Sequence, residues 1–137
     1  MNELGAHASL VTNLLIEMKK RFAPLDDLCI LVDDLRVPVQ QRPPAIGGKV
    51  PDVHLRSVGS QRVVAIGEAK TAQDVDNGHT RSQLGEYFAY LKHHPSAFLV
   101  LAVPWHHARL IASIAAKLQI ERAATNVSVI VLENLPG

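Results

Sequence analysis

Asp52, Glu68 and Lys70 bring two carboxylates and an ammonium into one stretch, GGKVPDVHLRSVGSQRVVAIGEAKT, residues 47–71. Side chains on a strand alternate between faces, so Glu68 and Lys70, two apart at the end of an apolar run, share a face. Residues 53–58 alternate in polarity, and residues 62–70 follow after Gly59-Ser60, a turn signal. In such a hairpin the start of one strand lies beside the end of the other. Asp52 then approaches Glu68 and Lys70, and two carboxylates share a patch with an ammonium. Mg²⁺ takes oxygen ligands, usually one or two carboxylates completed by waters and substrate phosphate. Asp52 and Glu68 offer the carboxylates, the carbonyl of Ala69 offers a further oxygen, and Mn²⁺ is the natural substitute ion. Such an ion neutralises charge on a phosphate and acidifies a bound water. Lys70 is placed to orient the attacking water or to hold developing charge.

A hairpin alone cannot hold such a site. Residues 2–22 read as an amphipathic helix, with Leu10, Val11, Leu14, Leu15, Met18 and Phe22 on one stripe and Pro24 as its stop. Residues 28–32 read as a short strand, and residues 36–50, rich in Pro and Gly, as a loop. After the hairpin come a polar connection, a helix over residues 80–93 and a buried strand over 97–103. Pro104 and Trp105 open a third helix with Leu110, Ile111, Ile114 and Leu118 as its apolar face, and residues 127–132 form a last strand. The predicted order is α-β-β-β-α-β-α-β in one domain, residues 1–137. An antiparallel start followed by crossovers implies an α/β fold with a mixed sheet flanked by helices.

Pro51-Asp52 followed by Glu68-Ala69-Lys70 resembles the signature of the PD-(D/E)xK nuclease superfamily, which includes type II restriction enzymes, archaeal Holliday-junction resolvases and RecB-like exonucleases. The resemblance implies a restriction-endonuclease-like core of α-β-β-β-α-β, which the predicted order follows from residue 2 to about residue 103. It further implies a Mg²⁺-dependent deoxyribonuclease acting on DNA phosphodiesters, with Asp52 and Glu68 as ligands and Lys70 as the catalytic lysine. Resolvases use a first-helix glutamate as an additional ligand, and Glu17, at the edge of the apolar stripe, matches that role. RecB-like nucleases carry Q-x-x-x-Y on the helix after the E-x-K strand, where both side chains contact the site or the DNA. Gln83 and Tyr87 match it and share a helix face.

Other residues add less. His54 projects on the same face as Asp52 and is placed to touch the site or a phosphate. Lys49, Arg42 and Arg56 are placed to meet a DNA backbone by charge. Gly47-Gly48-Lys49 lacks the frame of a phosphate-binding loop. The pairs His93-His94 and His106-His107 read as helix-end and surface residues, since neighbouring side chains on a helix do not converge and no cysteine accompanies them at zinc spacing. Cys29 is alone, which excludes an internal disulfide and suits a reducing cytoplasm. No secretory signal and no membrane-spanning run are expected. The chain is nearly minimal for the implied core, which suggests either a structure-selective homodimer or a catalytic module of a larger system; a homodimer presenting two sites is expected. The competing expectation is a catalytically inactive nuclease-fold module for DNA binding or assembly.

Overall fold

The computed structural model describes residues 3–25, 27–58 and 62–134. A single five-stranded sheet runs in the order β1 (Leu28–Val32), β2 (Val53–Ser57), β3 (Val63–Ala69), β4 (Ser96–Pro104) and β5 (Val127–Asn134). The first three strands pair antiparallel, and β3, β4 and β5 pair parallel, so the sheet is mixed. Helix α1 (Glu3–Phe22) covers one face. Helices α2 (Gly78–Leu91) and α3 (Ala108–Glu121), which carry the two parallel crossovers, cover the other. The expected turn at Gly59-Ser60 lies outside the described residues. No helix among the described residues is long and apolar enough to cross a membrane.

Each helix docks by a stripe that its sequence spacing dictates. On α1, Leu10, Leu14, Met18 and Phe22 recur every four residues and are buried, with Val11 and Leu15 half-buried beside them. Phe22 meets Phe98 edge to face at 5.2 Å. The closest approach is at Gly67 of β3, where an added Cβ would lie 2.5 Å from Met18 Sδ and 3.1 Å from Leu14 Cδ2. A side chain at position 67 would force the ends of the Met18 and Leu14 side chains to shift.

On α2 the stripe is Thr80, Gln83, Leu84, Tyr87, Phe88 and Leu91, so two polar residues ride on the buried face. The helix starts earlier than expected because Asn77 caps it: its side chain accepts the Thr80 N–H at 2.8 Å. The third helix also departs from expectation. Strand β4 runs on to Pro104, and Trp105–His107 form a single 3₁₀ turn before α3 begins. Ala108, Ile111, Ile114 and Ala115 then face the sheet, which turns Leu110 outward.

Candidate functional site

The β2–β3 register sets Val53 opposite Gly67, so Asp52, one residue before β2, stands beside Glu68. Asp52 is tied down from both sides. The Ala69 backbone N–H donates to Asp52 Oδ2 at 2.8 Å, and His7 Nε2 of α1 lies 3.4 Å from the same oxygen. Ala69 thus meets Asp52 through its amide, and its methyl group faces α1 in the core.

Glu68 and Lys70 share a face, and Gln83 joins them. Lys70 Nζ donates to Gln83 Oε1 at 2.5 Å, and Gln83 Nε2 donates to Glu68 Oε1 at 3.2 Å. Gln83 Nε2 also lies 3.0 Å from the Tyr87 hydroxyl, which donates to Glu68 Oε1 at 3.2 Å. All four side chains are buried, Glu68 to 3% exposure and Lys70 to 8%. Buried polar groups persist only when partnered, and here each is partnered by another of the set.

The electrostatics follow from crowding. Burial pushes the Glu68 carboxyl well above its usual range, and the neighbouring Asp52 charge pushes it further, against the pull of Lys70. Burial acts in the same direction on Asp52. There it is outweighed by hydrogen bonds from His7, the Ala69 amide and Glu68, so its carboxyl sits below the ordinary value. The hydrogen bond between the two acts in opposite directions, raising Glu68 and lowering Asp52. The bond to Asp52 raises His7, and burial followed by the Glu68 charge raises Tyr87.

Not every expected residue joins this group. Glu17 is half-buried, pairs with Lys20 at 3.7 Å, and lines a pocket of about 430 Å³ with Asn13, Ile16 and the end of β5. It lies ten residues after His7, which is about 15 Å along the helix axis. Glu17 does not join Asp52 and Glu68, and no group of three or more His, Cys, Asp or Glu side chains that could by itself hold a metal ion is found among the described residues.

The expected DNA contacts also separate. His54 is buried, with Nε2 3.2 Å from the Tyr90 hydroxyl, rather than on an open surface. Burial, then the charges of Arg56 and His94, lower its pKa. The Arg42 guanidinium donates to the carbonyls of Val37 and Leu35 at 2.9 and 3.2 Å and so pins its own loop. Lys49 is half-buried in the turn that Gly47 and Gly48 make with positive φ, and Glu86 of α2 packs over Gly47. Arg56 is exposed.

His7 joins the site although none of the sequence motifs includes it. The buried stripe of α1 continues one turn backward from Leu10 and Leu14 to position 7, which is the signal that marks it.

Carboxylates are the donors that a hard divalent cation takes, and Asp52 and Glu68 are the residues that could hold one, with the rest of its coordination left to water and phosphate. Comparison of the chain with protein-family models, with curated proteins and with solved structures finds no match to any of them.

Proposed function

We propose that the chain is a restriction-endonuclease-like, Mg²⁺- or Mn²⁺-dependent nuclease that hydrolyses DNA phosphodiester bonds. The observation that carries this reading is the contact of Asp52 with Glu68, with Lys70 linked to Glu68 through one glutamine. Asp52 and Glu68 hold the ion, which supplies charge neutralisation at the phosphate and a more acidic water. The protein does the positioning. The Ala69 amide and His7 hold Asp52, while Gln83 and Tyr87 hold Glu68. Lys70, held by Gln83, stabilises charge on the phosphate or orients the water. The element order, with α1 first and the acidic hairpin central, supports the same reading. A symmetric homodimer is part of it, with the outer face of α3, where Leu110 and Ile120 are exposed, as the contact. Sedimentation tests that component separately.

The decisive experiment incubates labelled duplex, single-stranded and four-way-junction DNA with the chain and Mg²⁺ or Mn²⁺, beside Asp52→Asn. Cleavage by the parent, and its loss together with Mn²⁺ binding in Asp52→Asn, is the expected result. A parent that binds no Mn²⁺ by calorimetry and cuts none of the three substrates overturns the reading in favour of a non-catalytic module.

A further inference from the structure

We propose that Trp105, supported by His106, is a stacking platform for an unpaired nucleobase, so that the nucleic acid presented to Asp52, Glu68 and Lys70 is single-stranded or carries an unpaired end. This rests on the nuclease reading and narrows its substrate.

The placement comes from the sheet register. Ala69 of β3 pairs with Ala102 of β4, and the Lys70 N–H bonds the Ala102 carbonyl at 3.0 Å. Strand β4 runs two residues further, to Pro104, which is roughly 7 Å of strand. Trp105 therefore begins its turn just past Lys70 on the neighbouring strand. In open α/β sheets, ligands collect outside the carboxyl ends of the strands.

The side chain itself is unusual. It is the only tryptophan in the chain, yet it stays 50% exposed, although a large aromatic ring gains much from burial. It meets His106 at 5.6 Å between centroids and 73° between planes, and His106 meets His107 at 4.2 Å. His107 Nδ1 is buried without a hydrogen-bond partner among the described residues. The nearest cation in the sequence is Arg109, four residues on and exposed.

An exposed aromatic ring next to a phosphate-cleaving site is the chemistry that grips single strands, since every base has a π-face. In a duplex those faces are already stacked, whereas unpaired bases can be splayed onto a side chain.

The single tryptophan makes the test direct. In a chelator, where nothing is cut, Trp105 fluorescence is followed during titration with an oligo-deoxythymidylate and, separately, with a blunt duplex. Saturable quenching by the single strand and little by the duplex is expected. Trp105→Ala should weaken single-strand binding, read by anisotropy of a labelled strand, on the order of tenfold. Trp105→Phe should recover much of it, and both variants should keep the circular dichroism of the parent. Lys70→Ala should quench as the parent does, so platform and cleavage fail independently. The proposal is overturned by equal quenching with duplex, by Trp105→Ala binding single strands as tightly as the parent, or by fluorescence that responds only to protein concentration. The last outcome marks Trp105 as a contact between protein molecules.

Discussion

Asp52 and Glu68 hydrogen-bond each other across the β2–β3 pair, and their carboxyl groups are driven in opposite directions by that contact. The raised Glu68 contributes stability that is present below its unfolded value near 4.5 and is lost as pH rises through its folded value. His7 is also raised, so its share disappears in the same direction, above 6.5. Asp52 is lowered, and its share is lost only as pH falls below about 3.8. The metal-free protein is expected to be most stable in mildly acidic solution and to weaken toward alkaline pH. Glu68→Gln, which keeps the side-chain shape, should flatten that profile and raise the melting temperature on the alkaline side. Thermal melts in chelator across a pH series check this. A Glu68→Gln protein that melts below the parent there would show that the buried charge is already compensated.

Lys70 and Glu17 should separate cleanly in an activity assay. Lys70→Ala removes an ammonium without removing a carboxylate ligand, so cleavage should fall about 10²–10³-fold while Mn²⁺ affinity stays near that of the parent. Glu17→Gln should leave both unchanged, because Glu17 faces the end of β5. Equal cleavage by Lys70→Ala and the parent would remove Lys70 from the mechanism, and a slow Glu17→Gln would mean that α1 moves in the complex.

Gln83 is the connector, and its loss should cost stability as well as rate. Gln83→Leu fills a similar volume but leaves Lys70 Nζ without the acceptor it now has and strips one donor from Glu68. Orphaning buried polar groups costs about 1–3 kcal/mol. Denaturant unfolding of the metal-free protein should show that loss in the midpoint. An unchanged midpoint would mean that water replaces the amide at no cost.

Gly67→Ala tests how α1 is seated. The new methyl group would collide with Met18 and Leu14 in a packed core, a change that typically costs about 1–3 kcal/mol. The denaturant midpoint should drop with little change in slope. If His7 is thereby drawn away from Asp52, Mn²⁺ affinity should change as well. A variant as stable as the parent would show that Met18 swings aside freely.

Whatever depends on short-range periodicity is legible in the order of the residues. Period two along residues 63–69 and the hairpin pairing bring Asp52, Glu68 and Lys70 to one place. Period 3.6 puts Gln83 and Tyr87 on one side of α2, and the buried stripe of α1 is legible to within a residue or two. These are local rules, and no distant partner is needed to apply them. Tertiary structure decided which rung of α1 meets the acidic pair. Stripe phase says which side of a helix faces the sheet, but not how far along its axis the helix is docked. That distance is set by the contact of Leu14 and Met18 with Gly67, which brings His7 to Asp52 and leaves Glu17 by β5. The same holds for His54, polar by type yet buried because Tyr90 of α2 closes over it. It holds for Arg42 too, whose guanidinium is taken up by carbonyls of its own loop. Exposure of a polar side chain is a property of what packs across from it, and that neighbour is distant in the chain.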